Sequence, residues 1–127
     1  MERELSGNQS PLQRYPEIKN LLTIKEECIP LFLNRSNSLI GSYKVSSGGI
    51  TSTVVDIRLI LSIALKSLSC SLILAHTHPS GNLKPSTTDM EMTYKIKEAA
   101  KFMDIRLLDH LIISTEGYYS FADEGEL

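Results

Sequence analysis

Two of the chain's three histidines, His76 and His78, stand one residue apart at the end of an apolar run. In an extended chain such residues point to the same side. One strand can therefore offer two imidazoles to one ion, and neutral imidazole is a good zinc donor. The same spacing also suits surface or core histidines held by ordinary hydrogen bonds. Asp89 adds a carboxylate. With Ser86 it has the spacing of a helix capping box, and a carboxylate there complements the helix dipole. Yet it shares a helical stripe with Met92, Thr93, Ile96, Ala99, Ala100 and Met103, which should face the core. A carboxylate aimed inward needs a partner. Zinc on His76, His78 and Asp89 would have three protein ligands and a fourth position left for water, the arrangement of a catalytic site.

These residues need a fold that brings them together, and 127 residues suit one compact domain. Acidic and basic residues nearly cancel, leaving a formal net charge of -2. Without an excess or dense cluster of Lys and Arg, the chain is not expected to bind DNA by itself. Cys28 and Cys70 have no ligand-like spacing and read as small buried thiols in a reducing compartment. The N-terminus lacks a signal-peptide pattern, and the longest apolar stretch, around Leu59 to Ala75, is broken by Lys66 and several serines. A cytoplasmic protein with no membrane segment is expected.

Residues 1–15 read as a polar tail or arm, and residues 16–127 as the domain. Pro16 opens a short helix carrying Ile18, Leu21 and Leu22. Runs at 26–33 and 39–45, joined by the turn-forming residues 34–38, predict a β-hairpin, in which Pro30 is out of character for a strand. Residues 46–49 mark a loop or strand irregularity. Asp56 caps a helix whose stripe is Ile57, Ile60, Leu61, Ala64, Leu65 and Leu68. Residues 71–76 suit a buried strand, and residues 77–85 a loop of the kind that carries function. A helix from Ser86 to about Met103 follows, then strands at 105–108 and 111–114 and a turn into 118–121. The order predicts an α/β (α+β) domain, a mixed sheet flanked by helices.

His76-Thr77-His78, seven residues, then Ser86-Thr87-Thr88-Asp89 matches the JAMM metalloprotease signature H-[ST]-H-x7-S-x-x-D at every specified position. Residues 75–82, with Pro85-Ser86 and Leu108-Asp109-His110-Leu111, resemble more narrowly the RadC-like branch of that superfamily. The resemblance covers about residue 26 to the C-terminus. It implies the cytidine-deaminase-like JAMM fold and a zinc-dependent hydrolase of peptide or isopeptide bonds, hence a protein or peptide substrate. His76, His78 and Asp89 would hold Zn2+, and Ser86 would polarise the substrate or water.

The resemblance also implies a general base from an upstream strand and places it at Glu26, with Glu27 adjacent and Cys28 where the family usually has an aromatic residue. Asp109 and His110 are candidates for orienting a ligand from behind, or for an ordinary hydrogen-bonded pair. Longer members carry an N-terminal helix-hairpin-helix region for which 127 residues leave no room. The alternative to an enzyme is a non-catalytic, zinc-containing interaction module that binds nucleic acid or recombination proteins.

Overall fold

A computed structural model of the chain describes residues 10–21, 26–44, 46–47, 55–78 and 80–127. The expectations for Leu22, Val45, Gly48 and Gly49 lie outside them. Helix α1 (Pro11–Arg14) and a 3-10 helix (Pro16–Leu21) precede strands β1 (Glu27–Leu33), β2 (Leu39–Ser42) and β3 (Ser46–Ser47). Helix α2 (Ile57–Lys66), β4 (Ser71–Thr77), α3 (Thr87–Phe102), β5 (Arg106–Ser114) and β6 (Gly117–Ser120) complete the domain. The sheet runs β2-β1-β4-β5-β6, with β3 also pairing with β1. Only β4 and β5 run parallel among the described strands.

Strand alternation gives the sheet two apolar faces. Cys28, Phe32, Leu72, Leu74 and Leu107 pack under Ile60, Leu61 and Ala64 of α2 and Ile96 and Ala100 of α3. On the other face Leu31, Leu33, Ile73, Ala75, Leu111 and Ile113 pack with Tyr15 and Ile18. Burial on both faces is why residues 71–75 read as a continuous apolar run. The expected polar arm is corrected at its C-terminal end. Ser10 and Gln13 form a capping box on α1, and Tyr15 is buried, its hydroxyl donating to the Asn37 carbonyl at 2.7 Å. Residues 10–15 therefore belong to the domain.

Pro30 sits inside β1 without leaving a broken rung. Its carbonyl accepts from Tyr43 N at 3.3 Å, and a strand residue's nitrogen faces the same edge as its carbonyl. That edge lies between the β2 ladder, which reaches Leu31–Ser42, and the β3 ladder, which reaches Cys28–Ser46. The donor that proline lacks is therefore missing between the two ladders and not within either.

Helix α3 ends at Phe102, close to the expected Met103, and α2 ends at Lys66, two residues short of Leu68 on its expected stripe. Leu68 adopts a left-handed backbone with φ 56°, and Asp104 one with φ 55°. Ser69 N then reaches Ala64 O and Ile105 N reaches Ala100 O, both at 2.9 Å, giving two Schellman closures. Leu68 and Met103, expected on the core stripes, are exposed as a result. The two strands expected at 105–108 and 111–114 are one strand, β5, with a register shift where Leu72 pairs with Leu107 and Ile73 with Asp109. The extra residue lets the chain absorb Asp109 and His110 without leaving the sheet.

Candidate metal centre

The centre lies where the C-terminal end of β4 meets the start of β1 and the N-terminus of α3. Cys28 and His76 are register partners across β1 and β4, so His76 faces the side covered by α2 and α3. Glu26, two residues before Cys28, falls on that same side. Its Oε2 lies 3.5 Å from His76 Nε2 and its Oε1 3.8 Å from His78 Nε2. Glu27 turns the other way and pairs with Lys44 at 3.4 Å.

Helix α3 supplies Asp89. Its Oδ2 accepts from Ser86 N at 2.9 Å, and Asp89 N donates to Ser86 Oγ at 3.0 Å. The predicted capping box is formed. The remaining oxygen, Oδ1, lies 3.2 Å from His76 Nδ1. Burial alone would raise the Asp89 pKa, but the His76 ring beside it and the hydrogen bonds from Ser86 outweigh it and hold the carboxyl well below the usual range. Cap and inward-facing carboxylate are thus one arrangement, with one oxygen for each task.

His76 sits between the two carboxylates, buried, and neither of its ring nitrogens has an aligned hydrogen-bond partner among the described residues. His78 Nδ1 lies 2.7 Å from the Asn82 carbonyl, which can only accept. Nδ1 therefore carries a hydrogen, and in the neutral ring Nε2 is the nitrogen with the lone pair, on the side of Glu26. Gly81 makes this turn possible with φ 86°, its N–H donating to His78 O at 3.0 Å. A neutral imidazole nitrogen beside a carboxylate is a donor pair that a cation would organise.

Donor atoms of Glu26, His76 and His78 lie within 4.8 Å of one another. This is not the trio expected from the sequence. Asp89 approaches the same His76 ring from its other nitrogen. The two carboxylates differ in environment, since the side chain of Asp89 is 8% exposed and that of Glu26 36%.

The pair Asp109 and His110 is divided by the sheet. Asp109, partner of Ile73, faces away from the centre and accepts from Ser120 Oγ, His110 N and Ala122 N. Burial raises its pKa against those hydrogen bonds. His110 faces the centre's side, stacked on Phe121 with centroids 4.6 Å apart and 5.8 Å from the His76 ring. Thr93, whose role the sequence did not reveal, donates to Asp89 O at 2.7 Å and so accepts from His110 Nδ1 at 2.5 Å. Burial first, then the neighbouring His76, pushes the His110 pKa down to about 3. Burial also pushes the Cys28 thiol, beneath the centre, up to about 12, so it stays protonated.

A mixed sheet that carries two histidines on a strand end, beside a capped helix N-terminus and two carboxylates, defines an α/β domain with a metal-competent centre. The chain belongs to the RadC-like JAB domain family, whose match covers residues 8–126. A UPF0758 protein of Flavobacterium johnsoniae is 50% identical over 100 residues, covering 79% of this chain and 44% of its own length. Another, from Porphyromonas gingivalis, is 45% identical over 104 residues, covering 81% and 46%. One from Streptococcus gordonii is 41% identical over 126 residues, covering 99% and 55%. The chain thus spans about half the length of these curated relatives. Among the described residues, no helix is long and apolar enough to cross a membrane.

Proposed function

We propose that this domain is a zinc-dependent hydrolase that cleaves an amide bond, peptide or isopeptide, in a protein or peptide substrate. The observation that carries this reading is the meeting of His78 Nε2, the ligating nitrogen left by the Nδ1–Asn82 hydrogen bond, with the Glu26 carboxylate and the two buried His76 nitrogens that have no hydrogen-bond partner among the described residues. His76, His78 and Asp89 would hold the ion. Asp89 suits a ligand because it is buried and stays ionised. Zinc, when bound, supplies Lewis-acid chemistry, lowering the pKa of a water to about 7 and polarising a carbonyl.

The chain's own groups supply the proton transfers. Glu26, the more exposed carboxylate, takes a proton from water and returns it to the leaving amine. The Ser86 hydroxyl accepts from Asp89 N, leaving its own hydrogen to donate to the substrate's carbonyl oxygen as charge develops there. We place this activity in the cytoplasm, where Cys28 and Cys70 remain thiols. The test compares zinc-loaded and chelator-stripped protein on a panel of peptide and isopeptide substrates. Cleavage that disappears on stripping and returns with zinc is expected; a fully loaded protein that cleaves nothing would sink the reading.

A further inference from the structure

We propose that the Thr77 hydroxyl is the positioning group that fixes Glu26 against the histidine pair, by holding the neighbouring Glu27 N–H at the end of the β1–β4 ladder. The inference rests on the reading of Glu26 as the base.

The last residues paired backbone to backbone at this end of the ladder are Cys28 and His76. Glu27 comes next on β1 and stands opposite Thr77. The N–H and C=O of one strand residue face the same edge, so Glu27 turns both groups toward β4. A single hydroxyl meets both. Glu27 N donates to Thr77 Oγ1 at 2.9 Å, and the same hydroxyl donates to Glu27 O at 3.4 Å. Both residues are buried. Without the hydroxyl, the Glu27 N–H would lose this partner in a buried place.

Glu26 is the next residue along, and its carboxylate swings with the backbone that Thr77 holds. Its carboxylate lies 3.5 Å from His76 Nε2 and 3.8 Å from His78 Nε2, so a shift of that backbone changes both distances. Meanwhile Thr77 lies between the two histidines in the chain. One residue therefore ties the strand that carries the histidines to the strand that carries the base. Catalysis is sensitive to this link, because a misplacement of about 1 Å can cost roughly 10²-fold in rate.

Thr77→Val removes the hydroxyl at nearly constant shape, while Thr77→Ser keeps it. In metal-free protein, amide hydrogen exchange at Glu27 should quicken about 5- to 10-fold in Thr77→Val and return to the wild-type rate in Thr77→Ser. In zinc-loaded protein, Thr77→Val should keep its metal and its KM while kcat falls about 10- to 100-fold. Thr77→Ser should restore kcat. In a Glu26→Gln background Thr77→Val should add almost nothing, since both changes remove the same positioned base. Unchanged exchange at Glu27, or an equal loss of kcat with and without Glu26, would overturn the proposal. If zinc-loaded wild type cleaves nothing, the hydrolase reading falls by itself and the exchange result still judges the clamp. If Thr77→Val does not fold, Thr77→Ser and Thr77→Asn, which both keep a donor and an acceptor, should hold the wild-type exchange rate, and faster exchange in both would overturn it.

Discussion

Glu26 Oε2 stands 3.5 Å from His76 Nε2, on a face of the sheet that the neighbouring Glu27 cannot reach. The relationship follows from register. Cys28 pairs with His76, so residues two apart on β1 share the side of that ring, and the residue between them does not. A single-residue slip of β1 would exchange the two glutamates.

Glu26→Gln should keep its zinc and lose about 10²- to 10⁴-fold in hydrolysis, because Gln retains the size but cannot accept a proton. Glu27→Gln should leave hydrolysis nearly unchanged and affect only the ion pair with Lys44. Parallel rate and metal assays on the two variants check this. A silent Glu26→Gln beside a crippled Glu27→Gln would reverse the assignment.

Acid should destabilise the metal-free fold through His110. Its pKa is about 3 when folded against 6.5 for the free side chain, so the unfolded chain binds the extra proton between those values. Stability is then complete above about pH 6.5 and falls as pH drops toward 3, by at most about 1.4 kcal/mol per pH unit. Asp109, raised by burial, works in the opposite sense, favouring the fold below its ordinary pKa and losing that contribution as pH rises. Urea unfolding in chelator at about pH 7, 6 and 5 should give a falling series, flattened in His110→Gln. An equally steep series in His110→Gln would assign the acid limb to other groups.

Leu68 is 83% exposed and holds a left-handed backbone that a branched side chain disfavours. Leu68→Gly should therefore stabilise the protein, by about 0.5–1 kcal/mol after the added flexibility of the unfolded chain is counted. A lower midpoint in thermal or urea unfolding would show that the leucine makes a contact worth more than the strain.

Patterns of one or two turns made much of this legible. The hairpin, the Asp56 and Ser86 caps and the bare run ahead of His76 follow from local spacing, and so does the meeting of a histidine pair with the start of α3. What depends on distant partners was hidden. Asp109 and His110 look like a break between two strands because they are polar, yet Ser120, Ala122 and Thr93 satisfy them inside one strand. Tyr15 looks like part of a polar arm until Asn37 offers its carbonyl. Likewise Thr77 reads as a spacer between histidines, since nothing local says that Glu27, fifty residues away, will present its backbone to it.

The central claim is that His76, His78 and Asp89 hold one zinc ion, and elemental analysis of protein purified without chelator or polyhistidine tag tests it most directly. Wild type and Glu26→Gln should each carry about one zinc per chain, because the ligand set is intact in both. Asp89→Ala should lose most of it. Zinc affinity should also fall between about pH 7 and about pH 5, since ligating imidazoles must be deprotonated. Zinc kept in Asp89→Ala but lost in Glu26→Gln would contradict the account and make Glu26, His76 and His78 the ligands; wild type without zinc would remove the metal centre altogether.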